Sequence, residues 1–255
     1  MKNILTVAHY TFIEVYRSKI MMSILFLGLG LILVTYIASE FAYGAPAKIA
    51  LDFGLGIMTL SNLGMAIFIG STLISKEVEQ RTLYMILSKP ISRISFLIGK
   101  ITGFSSVLLI NTIVLTMLSV GVFLLVGGTF QTLILWASLF SFIESFLVLL
   151  VAILFSLITS TAMSVIYSLV IIVVGHSLNE TSRLVFAKMN PFFDTVVKIG
   201  HVLLPNLYKL NLKDFVLYQQ VISIDYLANA LVYFLIYAAA LLIFVIQLFK
   251  NKNLD

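Results

Sequence analysis

Apolar residues in this chain do not alternate with polar ones; they come in long runs. Six stretches, at about 20–39, 56–75, 101–126, 133–158, 162–178 and 226–249, approach the roughly 20 residues a helix needs to cross the hydrocarbon of a bilayer. Ahead of the first run, Ile4, Leu5, Ala8, Phe12, Val15 and Tyr16 recur near the helical period, with Arg17 and Lys19 at the end. That spacing predicts an interfacial helix over 2–18, lying along the membrane surface; a plain polar tail is the alternative. The stretch 179–225 is mixed. Asn179 or Thr181 is a cap for a short helix that Pro191 ends or restarts, and a second short helix is expected through 195–202. Leu203, Leu204, Leu207 and Leu210 are too apolar for a free loop. Short helices or a half-inserted hairpin capping the outer end of a bundle are expected there, because irregular backbone at that depth must be buried in protein or line a cavity. With no internal repeat and no low-complexity linker, the pattern predicts one domain over 1–255, all-α, with six membrane-spanning helices.

Composition agrees with lipid as the solvent. The chain is 61% hydrophobic and 11% charged, with a mean hydropathy of +1.12, too little charge to cover a soluble domain of 255 residues. It contains no cysteine, which excludes disulfides, zinc thiolates, iron–sulfur ligation and cysteine catalysis. The first apolar run begins only at Ile20, so the start of the chain does not read as a cleavable signal peptide. The net charge of +5 sits largely beside helix ends and is no nucleic-acid signal. Lys2, Arg17 and Lys19 precede the first run; Lys76, Arg81, Lys89, Arg93 and Lys100 lie between the second and third; Lys250 and Lys252 follow the sixth. Six crossings put these three regions on one side, expected to be cytoplasmic together with both termini, in a multi-pass protein of the cell's inner membrane.

The segment 76–100 is the most densely charged link in the chain. Val78, Leu83, Ile86 and Leu87 form an apolar face, Lys76, Glu77, Glu79, Gln80 and Arg81 crowd the start, and Pro90 breaks the helix before a new one enters the third span. Amphipathicity of this kind suits two surfaces. The segment either rests on the membrane or is a docking helix for a soluble partner.

Motif order bears on that choice. The stretch "EVEQRTLYMILSKPISRISFLIGK" resembles the coupling segment of ABC-2 type transporter permeases. Glu77 and Glu79, Thr82 and Leu83, Leu87, Ser88 and Pro90, Ser92 and Arg93, and Gly99 and Lys100 match in order. Arg81 departs, standing where a glycine often precedes the threonine. The rest of the chain resembles the family in architecture, closest to six-span permeases of the NosY-like and NatB-like kind. The resemblance implies an exporter built on a homodimer of two permease copies, with two separate cytoplasmic ATPase subunits that bind ATP and Mg. It implies that Glu77, Glu79, Arg81, Thr82, Leu83, Ile86, Leu87, Ser88, Pro90 and Arg93 dock on the ATPase, with Thr159, Ser160 and Thr161 as a second, smaller contact. This chain itself shows no phosphate-binding loop: "GKIT" at 99–102 lacks the upstream glycine and the following Ser or Thr, and leads into a span rather than out of a strand. It is therefore expected to bind no cofactor and to hold no catalytic residues.

Glu144 is the one acidic residue near the middle of a run, which makes it a functional candidate. If the third and fourth spans form a hairpin about residue 130, Glu144 is level with Thr116, and Thr112 and Asn111 lie about a turn deeper. This predicts an intramembrane cluster of Glu144, Asn111, Thr112 and Thr116, either a structural bond between helices or a proton or cation site on a transport path. Asn62 and Ser61 are expected to pack, and His176 to lie near the outer end of the fifth span. No His-x-x-x-His or related pair supports a metalloprotease, and no metal site is expected. The competing functions are a secondary transporter or channel using Glu144, an intramembrane hydrolase, for which Glu144 lacks a companion group, and a noncatalytic anchor for a cytoplasmic complex.

Overall fold

A computed structural model of the chain describes residues 2–17, 28–30, 32–38, 41, 44–72, 92–181, 195, 197–200 and 204–251. Among them, all regular structure is helical. The helices are α1 (Lys2–Tyr16), α2 (Gly28–Ala38), α3 (Pro46–Thr72), α4 (Arg93–Leu125), α5 (Thr132–Ile158), α6 (Thr161–Thr181), α7 (Lys213–Leu217) and α8 (Ile224–Asn251). A 3-10 turn, Leu207–Leu210, precedes α7. Five of these, α3, α4, α5, α6 and α8, are long and apolar enough to cross a membrane. The expected first span keeps only the shorter apolar helix α2, the rest of 20–39 lying mostly outside the described residues.

Two spans start earlier than their apolar runs. α3 begins at Pro46, ten residues before the expected 56, with proline at the first helical position, where its missing N–H is not needed. Lys48 and Asp52 hid this extra length. Both are accommodated at the helix end: the Asp52 carboxylate pairs with Lys213 at 2.6 Å, and the Lys48 ammonium lies 4.4 Å from the centre of the Tyr218 ring. α4 begins at Arg93, where the Ser92 hydroxyl accepts from the Ser95 N–H at 3.1 Å as an N-cap.

α5 is the central helix. It packs against α3, α4, α6 and α8, and most of its length is buried. α3 lies against both α4 and α5. Gly127, in the left-handed region at φ +91°, lies in the link from α4 to α5, and only Thr159 and Ser160 join α5 to α6. We call the end carrying Thr72, Arg93, Ile158 and Asn251 proximal, and the end carrying Pro46, Leu125 and Thr132 distal. Small residues set the closest approach of α3, α5 and α6 near the proximal end, as is usual where helices pack in lipid. A Cβ on Gly70 would stand 2.7 Å from the Ala152 Cβ, and the Ser164 hydroxyl donates to the Ala152 carbonyl at 2.9 Å. α8 contributes few buried residues and turns Val232, Leu235, Ile236, Ile243 and Phe244 outward.

α1 is seated on the first turns of α4. Gly99 and Gly103 form its cradle: a Cβ at either would lie 2.7 Å from a side-chain carbon of Val7 or Thr11, respectively, and at most 3.0 Å from a backbone oxygen of α1. Lys100, buried between them, reaches Glu14 at 3.1 Å. Thr11 and Val15 are buried on this face, while Leu5, Tyr10 and Tyr16 point away.

Of the expected outer segment, residues 204–223 are described and close over the distal end of the bundle; 195 and 197–200 are helical. Leu207, Leu210, Leu212 and Val216 are buried. The Tyr233 hydroxyl accepts from the Asn206 N–H at 2.7 Å, and the Tyr226 hydroxyl donates to the Lys209 carbonyl at 3.2 Å, tying the segment to α8. α7 ends in a Schellman motif. The Gln220 N–H donates to the Phe215 carbonyl and the Gln219 N–H to that of Val216, with Gln219 itself left-handed at φ 50°.

Candidate functional site

The bundle contains a spine of polar side chains. Asn62 on α3 is its hub and is fully buried. Its amide nitrogen donates to the Thr112 hydroxyl at 2.9 Å and to the Ser141 hydroxyl at 3.4 Å, and its amide oxygen accepts from the Asn111 amide at 2.8 Å. Asn111 also reaches the Ser61 hydroxyl at 3.4 Å. Ser141 donates to the Thr59 hydroxyl at 3.4 Å, and Thr59 donates in turn to the Leu55 carbonyl at 3.0 Å. Thr116 donates to the Thr112 carbonyl at 2.7 Å and lies 3.2 Å from the Met58 sulfur. These bonds join α3, α4 and α5 at a depth where water is excluded, so each group left without a partner would be costly.

Glu144 stands apart from the three residues with which a hairpin about residue 130 groups it. The polar contacts of Asn111, Thr112 and Thr116 run to α3 and to their own helix. The carboxylate of Glu144, 1% exposed, faces α6 instead, where Nε2 of His176 lies 3.0 Å from Oε1. The ring nitrogen is close but not aligned as a hydrogen-bond donor, so Oε1 is buried without an aligned partner. Nδ1 of His176 lies 3.0 Å from the Ile172 carbonyl. The hairpin that matters is the one at 159–160: Glu144 is sixteen residues before Ser160 and His176 sixteen after it, which puts both about 21–24 Å up their helices at the α-helical rise.

The spine and the pair meet at a cavity of about 10 Å³, room for a single water. Thr59, Ser141 and Glu144 form its floor side, and Asn211 and Lys213 of the outer segment are on its wall. Lys213 crosses Gly56, where an added Cβ would stand 3.0 Å from its ammonium, to reach Asp52. Sequence reasoning missed both the His176 contact of Glu144 and the cavity that Glu144 shares with Lys213, itself paired with Asp52.

Glu77, Glu79, Arg81, Thr82, Leu83, Ile86, Leu87, Ser88 and Pro90 lie outside the described residues. Arg93 opens α4, and its guanidinium donates to the Lys250 carbonyl at 3.4 Å, joining the start of α4 to the end of α8. Thr159, Ser160 and Thr161 form the tight proximal turn, with the Ser160 carbonyl accepting from the Ser164 N–H at 2.9 Å. Among the described residues no group of three His, Cys, Asp or Glu is placed to hold a metal. Neither a protein-family model nor a curated protein matches the chain.

Proposed function

We propose that this chain is the membrane-spanning permease subunit of an ATP-driven exporter of the ABC-2 type, working as two copies with a separate cytoplasmic ATPase. The observation that carries the reading is the ordered motif from Glu77 to Lys100, standing in a densely charged link between two apolar runs. The packing at the proximal end supports it. The last residues of the motif, Gly99 and Lys100, hold α1 against α4, and Arg93 reaches the end of α8. A push on the segment before Arg93 would therefore bear on α1, α4 and α8 together. In this reading the proximal end faces the cytoplasm, ATP and Mg are bound by the partner, and the turn at Thr159–Thr161 makes the smaller contact.

Co-purification tests it. An ABC-type ATPase is expected to accompany the wild-type chain from membranes of its native cell, and Leu83→Asp or Leu87→Asp to weaken that association about 30-fold or more, as for anchors at the centre of an interface. A chain that never brings an ATPase with it overturns the proposal. One observation favours a second reading, a secondary transporter or channel: the buried Glu144–His176 pair. Ion flux from proteoliposomes containing this chain alone, without ATP, would select it.

A further inference from the structure

We propose that Glu144 and His176 form a proton-binding site inside the bundle, reached from the distal side beneath the segment Leu207–Leu217, which the Lys213–Asp52 ion pair holds shut. This holds whether or not an ATPase drives the chain.

The proton count follows from the neighbours of the ring. Nδ1 of His176 faces the Ile172 carbonyl at 3.0 Å, and a carbonyl only accepts, so Nδ1 carries hydrogen. In a neutral imidazole, Nε2 is then an acceptor. It lies 3.0 Å from Oε1 of Glu144, and two lone-pair atoms at that distance repel unless a proton is between them. The ring nitrogen is not aligned as a donor to Oε1, so the one proton the pair holds is placed on the carboxyl, and the pair is neutral overall. Neutrality suits an apolar site where a lone carboxylate would be expensive. Release of the proton leaves one negative charge, and its path out is the cavity that Glu144 shares with Thr59, Ser141, Asn211 and Lys213.

The direct contact of Nε2 with Oε1 makes the assignment specific, among few other ionisable groups on the packed helices. α6 itself carries Tyr167 and, one turn beyond His176 in the chain, Glu180; α4 carries none beyond its first turns; α3 carries Lys48 and Asp52 near its distal end; α8 carries Asp225, Lys250 and tyrosines. The outer segment brings Lys209, Lys213 and Asp214, of which Lys213 lines the cavity. Lys213 is paired with Asp52 and lines the same cavity as Glu144. Its ammonium offsets the charge left when the pair loses its proton, which links proton release to loosening of the Asp52 contact. The same lysine is the latch and the counter-charge.

Two measurements on the full chain in lipid nanodiscs test the proposal. Ring-15N histidine spectra, assigned with H9Q and H201Q, report the protonation of His176. Between pH 5 and 9 the His176 signal is expected to change state, and Glu144→Gln to move its midpoint by at least about one pH unit, a tenfold change in proton affinity. A His176 signal constant over this range in the wild type, or titrating identically in E144Q, overturns the site. Access is read separately. The chain has no cysteine, so Thr59→Cys introduces a single thiol at the cavity. A membrane-impermeant thiol reagent is expected to label T59C at least tenfold faster once D52N or K213M is added. Equal rates overturn the latch.

Discussion

At the scale of single residues, Asn62 has the largest structural consequence. It satisfies Asn111 and Thr112 and touches Ser141, so replacing it leaves several groups of the spine without partners in a place that water does not reach. Asn62→Ala is expected to cost about 1–3 kcal/mol, the range for an unsatisfied buried group, while Thr112→Val, which removes one hydroxyl, is expected to cost about 0.6 kcal/mol, typical of a single interhelical bond in lipid. Thermal unfolding in detergent, comparing the two variants with the wild type, checks the order. Asn62 was visible in the sequence only as a polar residue in an apolar run, with nothing to say that it was a hub. Glu144 was legible as a candidate because a mid-span carboxylate stands out in any apolar run. Its partner was not, because hydropathy fixes which segments are helices and says nothing of which helix a side chain faces. Folding the chain about residue 130 pairs Glu144 with Thr116, and folding it about Ser160 pairs it with His176; the backbone chose the second.

At the scale of elements, helix positions were legible and helix beginnings were not. The distal ends of α4 and α5 fall within a residue of the apolar runs. The starts of α3 and α4 extend past theirs because Lys48, Asp52, Arg93 and Lys100 interrupt the hydropathy while finding partners in the fold. The seat of α1 was hidden for a related reason. Gly99 and Lys100 stood out as the end of a motif, but the glycine spacing Gly99-x-x-x-Gly103 is also a packing device, a smooth strip on which another helix lies close. Gly103→Leu is expected to destabilise the docking of α1 by about 1–3 kcal/mol, the usual cost of overpacking. Hydrogen exchange of the α1 amides reads it: protection should fall there and be retained in α5. The Lys100–Glu14 pair adds little by comparison, about 1 kcal/mol or less, because Glu14 is 55% exposed.

At the scale of the whole molecule, four long apolar helices, α3, α4, α6 and α8, pack against a fifth, α5. Their proximal end gathers α1, the start of α4, the turn at 159–160 and the end of α8, and their distal end is closed by the outer segment. Basic residues flanking the spans favour the proximal side as cytoplasmic. Reporter fusions at residues 1 and 255 are therefore expected to report the cytoplasm, and one inserted at Thr129 the opposite side; fusions at 1 and 255 that disagree would rule out an even number of crossings. Five of the six expected crossings were legible, because they depend on length and hydropathy alone; in the first run the described residues hold only the shorter α2. The closure of the distal end was legible only as an excess of leucine over 203–210, since nothing in that run specifies Lys213 as its anchor.

The seat of α1 also has a consequence in time. Glu14 and Lys100 are 86 residues apart in the chain, so at about 5–20 residues per second α1 leaves the ribosome on the order of 5–15 seconds before its cradle is made. Its apolar face must be sheltered during that interval, and the bilayer surface is the shelter at hand. The amphipathic pattern of residues 4–16 thus answers two successive needs: a lipid surface during synthesis and a glycine strip afterwards. A helix made more apolar to grip the strip would be slow to leave the lipid, and one made more polar would be exposed while it waited.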